Sequence, residues 1–142
     1  MDNTTLKSCI TKTLSLNFKE CSIYKNKPSQ VKLPAFFVRY IDVSQNGQGM
    51  GFYQQNYIVE IKYRPKELPT NDISTHLDSI AEQVIDLIVE IYGDDFFSRA
   101  LNINYEIIDE TLLIIANYQV RKRIIKEEMI YMKNLIEKKE VK

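Results

Sequence analysis

The sequence has no tryptophan, one histidine, two cysteines and only four glycines, and its formal net charge is zero. Each scarcity removes a class of reading. With 19 Lys and Arg set against 19 Asp and Glu, no global field gathers nucleic acid or an anionic membrane, so any DNA contact would be local or non-adhesive. Cys9 and Cys21 are not in a C-x-x-C arrangement, and two thiols make neither a disulfide framework nor a zinc set. They read as buried free thiols in a reducing compartment. The opening MDNTTLKSCITKTL lacks the basic flank and apolar run of a secretory signal. The longest apolar-rich stretch, IAEQVIDLIVEIY, is broken by Glu82, Asp86 and Glu90, far short of the ~20 apolar residues of a membrane span. The chain therefore reads as a soluble protein.

What is present fits one compact domain over residues 1–142: 44% of the residues are hydrophobic and 27% charged, enough to bury a core without staples. Leu6, Cys9, Ile10, Thr13 and Leu14 recur at helical spacing and predict an amphipathic helix ending near Asn17. A short extended piece follows in CSIYK. AFFVRYIDV, dense in aromatic and β-branched residues, reads as a strand. In FYQQNYIVEIKYRP, Tyr57, Val59, Ile61 and Tyr63 alternate with polar positions, which predicts a strand with one wetter face. From Asp72 to Tyr92 the apolar residues step by three and four, predicting a long helix closed by Gly93. Ile85, Val89 and Tyr92 widen its stripe, as if a second surface, such as another subunit, covers its flank.

Two period-two runs, Leu101–Ile107 and Leu112–Val120, joined at Asp109 and Glu110, predict a β-hairpin. Ile125, Met129, Met132 and Ile136 predict a terminal amphipathic helix over about 124–138. The fold class is therefore α+β, with order α-β-β-α-β-β-α. It consists of a single antiparallel-rich sheet of about four main strands with helices packed on one face.

The chemistry-bearing candidates are few. The segment SQNGQGMGFYQQNY concentrates Gly47, Gly49 and Gly51. A phosphate cradle must follow a strand and open a helix, whereas this segment opens a strand. It reads as a hairpin tip whose glycines permit positive φ and a loose end. His76 has no nucleophile or metal partner placed near it and reads as a surface residue. The carboxylate pairs Asp94/Asp95 and Asp109/Glu110 fall in predicted turns. Arg121, Lys122, Arg123 and Lys126, with Tyr118 nearby, form a basic cluster followed at once by Glu127 and Glu128; they read as a solvated strand end rather than a DNA site. No residue is assigned as catalytic, cofactor-binding or metal-ligating.

Three stretches, LPAFFVRYIDVS, YIVEIKYRP and NYEIIDETLLIIANYQVR, resemble in order and spacing the tail terminator family of tailed phages and prophages of Gram-positive hosts. The shared patterns are P-x-F-F-V, an alternating strand ending in Y-x-P, and E-I-[VI]-D followed by a strand ending in Y-x-[VF]-R. The resemblance runs from Thr5 to about Met132, and each piece alone is only moderately specific. The chain departs from it at Ala35, where members often carry Cys, at Arg64 in place of an aromatic, and at Glu110 in place of Gly. The last leaves the turn type after Asp109 open, since a two-residue turn favours glycine at its second position.

The resemblance implies a structural protein, not an enzyme and without cofactors. Similar proteins cap the growing tail tube, form a ring, expected to be a hexamer, end tube polymerisation and present a surface for head joining. The implied partners are further copies of the chain, the tail-tube protein and head–tail connector proteins, with DNA passing unbound and no membrane. The implied locations are the host cytoplasm during assembly and then the virion tail. Candidate interface residues are Gly47, Gly49, Met50, Gly51, Phe52 and Tyr53 of the hairpin, Ile85 and Val89 of the long helix, and Met129 and Met132 of the terminal helix. A ring needs two different patches per subunit. The sheet edges and long-helix flank would supply one, and the glycine hairpin the other or the contact with the tube. On this reading, Gly47–Tyr53 gains order on meeting a neighbour or the tube. The alternatives are another neck or head–tail completion protein, or a small ligand-binding domain or enzyme using His76 or the turn carboxylates.

Overall fold

The structure is a computed structural model that describes residues 3–26, 28–67, 70–93 and 97–123. Among these, two helices and six strands follow in the order α1 (Asn3–Asn17), β1 (Ser22–Tyr24), β2 (Ala35–Gly49), β3 (Phe52–Arg64), α2 (Thr70–Ile88), β4 (Glu90–Tyr92), β5 (Phe97–Ile108) and β6 (Thr111–Arg123). The strands form one six-stranded sheet in the order β1-β2-β3-β6-β5-β4. All neighbours are antiparallel except β1, which runs parallel to β2. The α+β class holds. The expected count of about four strands becomes six, because CSIYK pairs as β1 and the end of the predicted long helix pairs as β4. The predicted terminal helix at 124–138 lies outside the described residues.

Alternation along the strands sorts the faces. Tyr57, Val59, Ile61 and Tyr63 of β3 point into the same core as Leu112, Ile114, Ala116, Tyr118 and Val120 of β6. Leu6, Ile10 and Leu14 of α1 and Ile73, Leu77, Ile80, Ala81, Val84 and Ile88 of α2 close that core from above. Burying a side chain of this kind contributes roughly 1.5–3 kcal/mol, so the helix stripes, more than helix propensity, fix the two helices on the sheet. Tyr118 and Tyr57 are fully buried and keep their hydroxyls bonded, Tyr118 to the Ile88 carbonyl (2.6 Å) and Tyr57 to Gln55 Oε1. Burial pushes the Tyr118 phenol well above its ordinary pKa.

The α2 boundary departs from the apolar periodicity for a visible reason. The helical stripe continues through Ile91, yet the helix stops at Ile88. The Tyr118 hydroxyl occupies the Ile88 carbonyl, and the Ala100 N–H donates to the Val89 carbonyl (2.9 Å). These carbonyls are therefore tied to the β5–β6 region. Glu90, Ile91 and Tyr92 then pair with Arg99, Ser98 and Phe97.

Candidate interaction surfaces

The glycine segment forms the end of the β2–β3 hairpin, as its context predicts, with its strands paired up to the turn. Pairing runs through Gly47↔Tyr53 to Gly49↔Phe52, leaving only Met50 and Gly51 as the turn. Both have positive φ, 53° and 79°, which is the requirement of a type I′ turn. Gly49 also has positive φ, at 80°. Gly47 does not, so the expectation that all three glycines serve positive φ holds for two of them. Behind the turn, β6 extends the arm: Phe52, Tyr53 and Gln54 pair with Arg123, Lys122 and Arg121. The Arg121 guanidinium lies 4.5 Å from the centroid of the Phe52 ring. One member of the predicted basic cluster is thus a cation–π partner of the tip rather than a freely solvated charge. Met50 is 91% exposed, an apolar side chain held in the left-handed region at the end of this arm.

Farther down the hairpin, the extra residue Ile41 shifts the register between Tyr40 and Asp42. Val43 and Gln45 consequently stand opposite Tyr57 and Gln55. Gln55 donates from Nε2 to Gln45 Oε1 (2.9 Å) and accepts the Tyr57 hydroxyl on Oε1. A short polar run therefore closes the core at the base of the arm.

A second surface lies along α2. Asp78, Glu82 and Asp86, four residues apart, share one face, and with Thr75, Ser79, Ile85 and Tyr105 of β5 they line an open groove. The half-exposed Tyr105 donates to Asp78 Oδ1 (3.1 Å), and that bond raises the Tyr105 pKa. Of the three flank residues predicted on this helix, Ile85 lies in the groove. Val89 is exposed one residue past the helix end. Tyr92 is also exposed and packs on Phe97 (5.0 Å between centroids).

A third surface, at the β1–β2 end of the sheet, was not singled out by the sequence. Lys25, Arg39, Lys62 and Arg64 line a cleft of about 390 Å³ together with Glu60 and the stacked rings of Tyr24 and Phe37 (5.4 Å). Arg39 grips Glu60 with two bonds, Nε to Oε1 at 2.8 Å and Nη2 to Oε2 at 3.1 Å. This fork-to-fork geometry keeps a nearly buried carboxylate satisfied on the sheet face away from the helices. The alternation of Glu60 with Lys62 places both on that face. What brings Lys25 to it is the parallel β1–β2 pairing, a long-range contact.

The remaining candidates are structural. His76 is half-buried rather than a surface residue: its Nε2 lies 3.1 Å from the Tyr63 hydroxyl and its ring packs on Tyr63. Burial, with the nearby Cys21 and Glu20, pushes the Tyr63 phenol up to about 12. Cys9 and Cys21 are half-buried and in no disulfide, and burial with Glu20 pushes the Cys21 thiol to about 11. Asp109 and Glu110, with φ of 49° and 61°, settle the open turn as a type I′ turn without glycine. Asp94, Asp95, Lys126, Glu127, Glu128, Met129 and Met132 lie outside the described residues. Among the described residues, no cluster of three or more His, Cys, Asp or Glu could hold a metal ion. No helix there is long and apolar enough to cross a membrane.

The family model described as phage tail terminator protein covers residues 5–130, most of the chain. No curated protein matches the chain significantly.

Proposed function

The chain belongs to the phage tail terminator family, and from that membership we propose that it caps the tail tube, ends tube polymerisation and contributes to the head-joining interface. A structural role in the phage tail follows from the family; capping and joining are the finer reading. The single observation that carries it is the family match over residues 5–130. The form of the molecule agrees with a role in assembly: its candidate surfaces are an exposed hairpin tip, a groove and a sheet-end cleft, each suited to protein contact.

On this reading the subunits form a ring, a hexamer as the family resemblance implies. It is built in the host cytoplasm and retained in the virion tail, and it works without enzymatic activity or cofactor. The tip residues Met50, Phe52 and Tyr53 reach the tube or a neighbour, and Ile85 and Val89 lie in or beside the subunit contact. Met50 favours the tip role. A 91% exposed methionine with positive φ adds nothing to the packing of its own chain, and a flexible thioether adapts readily to a partner surface.

The test combines the purified chain with its tail-tube protein. Light scattering after size exclusion reads the oligomer, and electron microscopy reads tube length. A ring and tubes of limited length are expected. A chain that stays monomeric with and without tube protein, and leaves tube length unchanged, refutes the reading.

A further inference from the structure

The protein is neutral as a whole, but its charge is segregated. Helix α2 carries Asp72, Asp78, Glu82 and Asp86 and no lysine or arginine. Asp78, Glu82 and Asp86 stand at i, i+4 and i+8, where like charges repel by a few tenths of a kcal/mol per pair. Asp86, in the last turn, also lies at the negative end of the helix dipole, another unfavourable placement. No lysine or arginine among the described residues forms an ion pair with them. Within the single chain the stripe gains the Tyr105 hydroxyl on Asp78 but no cation among the described residues.

The opposite charge gathers at the other end of the sheet. In the β1–β2 cleft, Glu60 is taken up by Arg39, which leaves Lys25, Lys62 and Arg64 without a carboxylate partner among the described residues. The strand order fixes the distance between the two patches. The cleft sits on the first three strands, β1, β2 and β3, whereas the stripe flanks β5, the fifth in the row. One copy cannot bring its own stripe to its own cleft. A neighbour related by rotation can, and each subunit then offers two different patches, the requirement of a ring.

We propose that the Asp78–Glu82–Asp86 stripe of α2 docks into the Lys25–Lys62–Arg64 cleft of a second copy of this chain, head to tail. The contact presupposes the ring reading and names the surfaces that would close it. Ile85 and Tyr105 in the groove, and Tyr24 with Phe37 in the cleft, supply the apolar area between the charges. A nucleic acid would match the cleft alone and would be repelled by the stripe; a second copy uses both.

Two charge-reversed full-length variants test this, Glu82→Lys/Asp86→Lys and Lys62→Glu/Arg64→Glu. Each alone is expected to weaken self-association at least tenfold. The first should fold at least as stably as the parent, because lysines suit a helix C-terminus. Mixed in equal amounts, the two should assemble again, since every contact then joins opposite charges. Assembly of the parent should weaken on raising salt from about 0.05 to 0.5 M, as exposed charge pairs do. Parent-like assembly by both variants overturns the contact while leaving the ring reading intact. So does failure of the mixture to recover, or a loss confined to the cleft variant together with binding of DNA to the parent. A parent chain that never assembles, even with tube protein, defeats the ring reading itself.

Discussion

Replacing Met50 by asparagine separates what the hairpin tip does for the fold from what it does for a partner. Met50 is the first central residue of a type I′ turn, with φ of 53°, and Gly51 is the second. An L-residue in the left-handed region costs roughly 1 kcal/mol, and asparagine pays least of it because its short amide bonds locally. The methionine side chain is 91% exposed, so its removal forfeits no packing. Met50→Asn, which places the favoured Asn-Gly pair in the turn, should therefore stabilise the chain by about 0.5–1 kcal/mol. For 142 residues, an unfolding entropy near 300 cal/mol/K converts this to a Tm rise of about 2–3 °C.

The assay is thermal unfolding by circular dichroism, run beside the tube-length measurement on the same preparation. The expected result is a higher Tm with weakened tube termination. A lower or unchanged Tm refutes the backbone argument, and a higher Tm with undiminished termination refutes the assignment of Met50 to a partner. Gly49→Ala provides the converse: its new Cβ would meet nothing within 4 Å, but φ of 80° strains any side chain, so a loss of about 1 kcal/mol is expected.

Other positions give equally direct tests. Glu110→Gly relieves φ of 61° in the β5–β6 turn and should raise the urea midpoint by an amount equivalent to about 0.5 kcal/mol, after the entropy of a freer unfolded chain is subtracted. Tyr118→Phe deprives the buried Ile88 carbonyl of its 2.6 Å donor and should lower stability by about 1–2 kcal/mol in the same titration, with the adjoining α2 end losing hydrogen-exchange protection first. Cys21, its thiol pushed to about 11, should react with iodoacetamide at pH 8 about 100-fold more slowly in the native chain than in urea, as its smaller thiolate fraction dictates. Because that pKa is raised on folding, any stability it adds is complete below the unfolded thiol's pKa and fades as pH rises toward 11.

Local pattern carried much of the fold. Tyr57, Val59, Ile61 and Tyr63, and likewise Leu112, Ile114, Ala116, Tyr118 and Val120, face the core as period-two alternation requires. The same local logic failed where a distant partner decides. Ile91 fits a helical stripe as well as a strand, and only the capture of the Ile88 and Val89 carbonyls by Tyr118 and Ala100 selects the strand. Glu110 gave no glycine signal, yet strand register forces positive φ on it. His76 looked exposed because nothing in the neighbouring sequence announces Tyr63, thirteen positions away. The basic cleft was invisible for a similar reason: Lys25 joins Lys62 and Arg64 only through the parallel pairing of β1 with β2. The acidic stripe, by contrast, could have been read from the four-residue spacing of Asp78, Glu82 and Asp86 and the lack of any basic residue in the helix.

The polar run Gln45–Gln55–Tyr57 has a consequence for how such a chain can change over time. Toward the helices, inward-facing hairpin residues such as Val38, Tyr57, Val59 and Ile61 sit in a close-packed interior, and a substitution there disturbs many neighbours at once. Beyond the glutamines, the strands are held by backbone pairing and the Arg121–Phe52 contact, and Asn46, Gly47 and Met50 are exposed. Sequence drift there is penalised by what the arm touches and scarcely by the interior. The two glutamines thus act as a seam, past which, on the proposed function, a new tip could be exchanged to suit a different tube while the body of the protein stays as it is.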